Sequence, residues 1–292
     1  MAKNHKNQLF VGPIFSSPYD GWKITLFWLR CSLLLLLSSS LAGCAVRRAP
    51  SNQTEITVFA AASLTEPFQE ISQQFQAQHE GVKVTLVFAG SQQLASQIAE
   101  GADADVFASA STKQMEALEA AGKVQAGQRR FFASNRLVVV APAANPAGLA
   151  DLAGLAAPGL RLVLAATEVP VGQYTLEFLD KATQDSTFGS GYKQAVLQNV
   201  VSYENDVKAV LNKVVLNEAD AGIVYHSDVS PAVAAKVLTL DIPDELNVIA
   251  RYPIAALAGS EHLDMAQAFV DFVLSTAGQE ILAEAGFITV SP

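Results

Sequence analysis

Along the chain, short apolar runs alternate with longer stretches in which apolar residues recur every three or four positions. Ile56 to Phe59 is one such run, and directly after it Leu64, Phe68, Ile71 and Phe75 recur at helical spacing. The pattern predicts a strand over 55–60 and a helix over 64–78, with Ser63 and Glu66 at the spacing of a capping box between them. It continues with strand 83–88 and helix 92–100, then strand 105–108 and helix 112–121. Further on come strand 137–141 closed by Pro142, strand 161–165 and helices 173–182 and 207–216. Strands 221–225 and 248–257 follow, the second interrupted by Pro253, and helices 262–274 and 278–285 end the chain. Strands that each lead into a helix favour an α/β chain with a mostly parallel sheet and crossover helices. The breaker-rich stretch APAANPAGLADLAGLAAPGL, residues 141–160, reads as a surface connection. Met265, Phe269, Phe272 and Val273 form one helical stripe, predicted to face the core.

The junctions between these elements are unusually bare. VFAAASLTEPF places Ser63 where a strand ends against a helix start, with only alanines beside it. VFAGSQQLASQI does the same at Ser91, and TEVPVGQY at Val171-Gly172, where Pro170 helps to launch the helix. In SYENDVKAVL, Asn205 or Asp206 stands as the cap before Val207. Unpaired N–H groups and the positive end of the dipole make any helix start hospitable to an anion. Tyr225, in AGIVYHSD, ends a strand and would present a phenol to the same side, where open sheets gather their ligands. Taken singly, a serine at a helix start is an ordinary cap, and Tyr225 an ordinary core residue. The agreement of the set, with no cation inside any of the quoted turns, points to one anion site.

Charge sharpens this reading. Four of the 19 basic residues and one of the 28 acidic ones lie in the first 44 positions, so the remainder carries 15 against 27 and a formal charge of −12. Nucleic acid, which requires a concentrated basic surface, is excluded as a partner. An anion would have to be held by local dipoles against the overall field. The first 44 residues read as an address: a basic start, the uncharged CSLLLLLSSSLAG, and then Cys44. Leu41-Ala42-Gly43-Cys44 resembles the bacterial lipobox, in which the leader is cut before a cysteine that becomes lipidated. The alternative is an uncleaved anchor helix, for which the apolar core is short. Residues 45–54 form a polar linker. Cys31 and Cys44 are the only cysteines, so the body has no thiol chemistry in a compartment that permits disulfides.

VFAAASLTEPF, FAGSQQLASQI, DADVFASAS, EVPVGQY, ENDVKAVL, AGIVYHSD and RYPIA stand in the order seen in the periplasmic molybdate-binding proteins of ABC transporters, and the resemblance covers nearly all of residues 55–290. It implies an α/β, two-lobed class II periplasmic-binding-protein fold that closes around one tetrahedral oxyanion. The first lobe would comprise 55–135 with 247–292, the second 136–246, with chain crossings near 135–137 and 251–253. The resemblance further implies that Ser63 and Ser91 bind molybdate or tungstate through hydroxyl and N–H groups. Val171 and Val207 would add backbone N–H groups, and Tyr225 its phenol. No cofactor and no direct protein ligand to the metal are expected. The protein would be a monomeric lipoprotein, anchored outside the cytoplasm, that delivers its oxyanion to an ABC permease and its ATPase. Three positions depart from the family pattern: Gln92-Gln93 follow the second serine, Val171 replaces a smaller residue, and His226, expected at the surface, follows Tyr225.

Other functions are weighed on the same residues. Ser190-Gly191-Tyr192-Lys193 matches Ser-x-x-Lys, but without its companion motif it does not make a hydrolase. His79, His226 and His262 are too scattered for metal spacing, and Asp103-Ala104-Asp105 reads as a solvated turn. An enzyme is therefore not expected. Sulfate or another tetrahedral oxyanion is the alternative ligand, and an oxyanion sensor lipoprotein the alternative role.

Overall fold

The computed structural model describes residues 53–290; Cys44, the leader and most of the linker lie outside them. Two mixed sheets flanked by helices share one compact unit. The first is assembled from β1 (Thr54–Ala61), β2 (Val82–Ala89), β3 (Val106–Ala108), β4 (Arg130–Asn135), β10 (Ala250–Ala256) and β11 (Ile288–Thr289), in the order β11-β4-β10-β3-β1-β2. The second holds β5 (Leu137–Pro142), β6 (Leu162–Ala165), β7 (Val200–Glu204), β8 (Ala221–Tyr225) and β9 (Val237–Asp241), in the order β7-β6-β8-β5-β9.

Central strands are covered on both faces, which is why they read as continuous apolar runs. In β1, Ile56, Val58 and Ala60 enter the main core while Phe59 points to the opposite face. On the main face, Phe68 and Phe75 of helix α1 (Thr65–Gln78) meet Phe132 of β4 and Phe269 of helix α8 (Leu263–Leu274). Each such fully buried phenylalanine contributes about 1.5–3 kcal/mol. On the other face, Leu94 and Ile98 of α2 (Ser91–Ala99) join Met115 and Leu118 of α3 (Thr112–Ala120) over Phe59 and Phe107. The second sheet carries α4 (Pro170–Gln184), α5 (Tyr192–Gln198), α6 (Val207–Val215) and α7 (Pro231–Ala234), and α9 (Thr276–Glu284) closes the chain against the first.

The sheets are mixed where the alternation of the sequence suggests mostly parallel ones. β1 pairs parallel with β2 and β3, and β6 parallel with β7 and β8. β10 runs antiparallel to β3 and β4, and β5 antiparallel to β8 and β9. β5 and β10 are the strands by which the chain enters one sheet from the other. No crossover helix sets their direction, so nothing forces them parallel. The first passage takes only Arg136, between β4 and β5, and the return lies between Asp241 and Ala250. The stretch 251–253, read as the second passage, instead lies inside β10. There the missing N–H of Pro253 coincides with a register shift against β4.

Strands β4, β7, β9 and β11 and helices α5 and α7 are absent from the pattern reading. β7 and β9 are sheet edges with partly exposed residues, and β4 opens on an arginine, so their apolar signal is weak. The 141–160 stretch is more than a surface connection, because Leu149, Leu152, Leu155 and Leu160 are buried in the core. Asp105 is no solvated turn residue either. It is buried, accepting the Thr57 N–H at 2.7 Å and the Ser260 hydroxyl, and so ties β1 to the loop before α8. Phe269, Phe272 and Val273 are buried as the stripe predicts.

Candidate functional site

The five residues singled out in the sequence line one cavity at the carboxyl ends of strands from both sheets. Each is at most 4% exposed, and about 210 Å³ of space unfilled by atoms, part of it open to solvent, lies among them. From the first sheet, β1 ends at Ala61 and a single 3-10 turn, Ala62–Leu64, carries Ser63 to the rim of α1. Ser63 and Glu66 do not form the expected capping box. The Ser63 Oγ lies 3.0 Å from the Tyr252 hydroxyl, and Glu66 instead reaches the Lys208 Nζ at 2.8 Å. The extra 3-10 turn moves the cap to Leu64 and frees the serine from capping. Ser91 is likewise not a cap: Gly90 takes that place, and Ser91 Oγ accepts the Ala110 N–H at 3.0 Å.

From the second sheet, Val171 stands in the first turn of α4, behind Pro170. Asp206 is the cap of α6, its carboxylate accepting the Ala209 N–H at 2.9 Å, and Val207 is the first helical residue. Tyr225 is the last residue of β8. The starts of α2, α4 and α6 therefore line one cavity, and the unpaired N–H groups of a helix start suit an anion. Among the described residues no lysine, arginine or histidine lines the cavity, and the acidic residue there, Asp206, already serves as a cap.

The Tyr225 phenol oxygen is buried without a hydrogen-bond partner. Burial drives its pKa well above the ordinary tyrosine value, and Tyr252, Tyr174 and Asp228 add to the rise, so it is held as a proton donor. A buried donor with no acceptor is a costly feature unless a ligand completes it. His226, next in sequence, is exposed and takes no part in the cavity. Lys193 of the Ser-x-x-Lys match is held by Asp180 at 2.6 Å. Among the described residues no cluster of potential metal ligands occurs, and no helix is long and apolar enough to cross a membrane.

Behind Tyr225 lies a second polar layer that the pattern of the sequence does not reveal. Asp228, fully buried, accepts the Tyr225 N–H at 3.0 Å and faces the Lys208 Nζ at 3.5 Å. Burial pushes its carboxyl up to about 6, against the pull of Lys208 and of the Tyr225 N–H. Burial also opposes the Lys208 charge, but Asp228 and Glu66 outweigh it and raise that pKa. An unfolded aspartate titrates near ~3.9, so the native protein holds this proton the more tightly. The stabilising contribution is therefore complete below about pH 4 and lost as pH rises through about 6. The stability of Asp228→Asn relative to wild type is expected to rise by about 2 kcal/mol between about pH 4 and pH 7. Urea unfolding across that range checks it, and a constant difference would refute it.

Residues 56–288 match the family of bacterial extracellular solute-binding proteins. The chain belongs to that family. This solute-binding protein is 42% identical over 232 residues to the Molybdate-binding protein ModA of Mycobacterium tuberculosis (strain ATCC 25618 / H37Rv), covering 80% of this chain and 84% of the relative. In three dimensions it resembles the periplasmic molybdate-binding protein of Azotobacter vinelandii, with a TM-score of 0.70 at 22% identity over 81% of this chain and all of the other. The sulfate-binding protein SubI from M. tuberculosis H37Rv overlays with a TM-score of 0.73 at 22% identity, over 82% of this chain and 88% of the other. At that identity the two structures establish the periplasmic-binding-protein fold, which is the fold class expected from the sequence. A solute-binding protein of this family acts outside the cytoplasm and is not an enzyme, which removes the hydrolase alternative.

Proposed function

We propose that this protein binds molybdate, and tungstate with it, and delivers the oxyanion to the permease of an ABC transporter. The observation that carries the reading is the cavity and its lining. Ser63, Ser91, Val171, Val207 and Tyr225 surround it, no cation lines it, and a buried phenol in it has no protein partner. A fully deprotonated tetrahedral dianion offers acceptors only, so a cage of hydroxyl and amide protons suits it. A protonated anion would bring an O–H for which a cage built of donors provides no dedicated acceptor. Each hydrogen bond to a charged group is worth roughly 1.5–3 kcal/mol net, so five such donors support a Kd of about micromolar or below. The 42% identity to a Molybdate-binding protein ModA supports molybdate over the alternatives.

The two sheets then belong to two lobes, 55–135 with 247–292 and 136–246, and the ligand bridges Ser63 and Ser91 on one to Val171, Val207 and Tyr225 on the other. Contacts across the cleft, from Gln92 Nε2 to Asn205 O at 3.0 Å and from Lys208 to Glu66 at 2.8 Å, fit a closed arrangement. Gln92, the departure from the family pattern, thus acts between lobes and not as a cavity donor. We place lipidation at Cys44, which would tether the protein to the membrane as a lipoprotein; detergent phase partitioning of wild type against Cys44→Ala tests this.

Calorimetric titration with molybdate, tungstate, sulfate and phosphate tests the ligand. Binding of the first two at micromolar concentration or below is expected, and absence of both sinks the reading. The likeness to a sulfate-binding fold keeps sulfate as the second reading, which the same titration decides. Ser63→Ala and Ser91→Ala are each expected to weaken molybdate by about 1.5 kcal/mol, roughly ten-fold, and Tyr225→Phe by somewhat less. Unchanged affinity in both serine variants would show that the anion sits elsewhere.

A further inference from the structure

Tyr252 is fully buried on β10, directly behind Ser63 and outside the cavity wall. Its ring stands edge-on to Phe132, Tyr225 and Phe287, and its hydroxyl meets the Ser63 Oγ at 3.0 Å. Either oxygen of this pair is able to donate, and the two choices have opposite consequences. A serine or tyrosine hydroxyl has one proton and two lone pairs. If Ser63 donated to Tyr252, the serine would turn lone pairs toward the cavity, and the phenol proton would need another acceptor in a dry core.

Besides Ser63, the Tyr225 hydroxyl and Asn135 are the hydrogen-bonding groups that act on the phenol oxygen. A Tyr252 proton given to Tyr225 would leave Ser63 donating to Tyr252, with lone pairs and no proton facing an anion. The Asn135 carbonyl accepts the Arg136 N–H at 3.0 Å and its amide donates to Ser227 Oγ at 2.7 Å, so it turns N–H groups and not a free acceptor to its surroundings. With Tyr252 donating to Ser63, every proton finds an acceptor once an anion takes the serine's own. Ser91 reaches the same state by another route: its Oγ accepts the Ala110 N–H, which can only donate, and its proton is left for the cavity.

We propose that Tyr252 is a positioning residue that keeps the Ser63 proton free for the oxyanion, and that by occupying one of the two Ser63 lone pairs it weakens the acceptance of proton-bearing oxyanions such as hydrogenphosphate. The inference rests on the oxyanion reading above. Removing the phenol hydroxyl while keeping the ring would free a Ser63 lone pair to accept from a ligand O–H.

Molybdate and phosphate affinities are to be measured near neutral pH, where phosphate keeps at least one proton, for wild type, Tyr252→Phe, Ser63→Ala and the double variant. In Tyr252→Phe the molybdate-to-phosphate affinity ratio is expected to fall about ten-fold, through weaker molybdate and stronger phosphate binding. In the Ser63→Ala background the same change should leave the ratio untouched, since the two residues act as one unit. The ratio does not depend on the folded fraction, so a loss of stability does not mimic the result. An unaltered ratio in Tyr252→Phe, or an equal fall in both backgrounds, overturns the assignment of Tyr252 while the oxyanion reading survives. Wild-type protein that binds neither molybdate nor tungstate overturns that reading, and this inference with it.

Discussion

Gly90→Ala is expected to lose about a hundred-fold in molybdate affinity while the unliganded protein keeps its stability to within about 1 kcal/mol. Gly90 caps α2 with φ −59° and ψ 135°, a conformation alanine adopts freely, so the backbone carries no strain. The obstacle lies just before α6, beside the second sheet, where a Cβ would stand 2.5 Å from the Asn205 carbonyl oxygen. It would also stand 2.6 Å from the Gln92 amide, but that side chain can swing aside, whereas the carbonyl is backbone. On the two-lobed reading proposed above, the conflict arises only when the lobes are closed, and overpacking at a site that cannot yield costs about 3 kcal/mol at the upper end of the usual range. Opening of the lobes relieves it at the expense of the ligand, because Ser91 and Val207 then no longer reach one anion. Calorimetry, thermal unfolding without ligand and solution scattering with it check this. Wild-type affinity in the variant would mean that the lobes need not approach as closely as this structure has them.

Gly172→Ala should damage stability and binding together. A Cβ there would lie 2.1 Å from the Ala166 oxygen and 2.6 Å from the Ala165 oxygen, both backbone atoms at the end of β6. Neither can rotate away, so the start of α4 must retreat from the sheet, taking the Val171 N–H out of the cavity. A loss of about 3 kcal/mol in stability is expected, with molybdate affinity reduced even in the protein that remains folded. Gly278→Ala supplies the comparison. There a Cβ would meet the Phe272 oxygen at 2.4 Å, at the start of α9 and away from the cavity. It should destabilise to a similar degree without altering the affinity of the folded protein. Equal affinities in the two variants would remove the α4 start from the binding site.

Much of the architecture could be read from apolar spacing because the central strands and long helices bury whole faces. Strand Ala221–Tyr225 and the helices starting at Thr112 and Val207 stand where that spacing puts them. The failures share a cause. β7 and β9 lie at sheet edges, where only part of each strand is covered and the periodicity fades. Asp105 looked like a surface turn because nothing local tells that Thr57 and Ser260, 48 and 155 positions away, will surround it. Tyr252 stood inside a quoted motif with no role, since its partner Ser63 lies 189 positions distant.

Local chemistry wrote the parts of the site: bare helix starts with hydroxyls or glycine, a tyrosine at a strand end and no cation in the turns. A cap or a turn involves neighbours within four or five residues, and such information survives in linear order. Strand order decided the rest. It brought three helix starts from two sheets to a single cavity, moved Ser63 from capping to a pairing with Tyr252, and left the Tyr225 phenol without a partner. Those relations depend on distances between segments a hundred or more residues apart, which burial of the two cores sets and no short stretch of chain encodes.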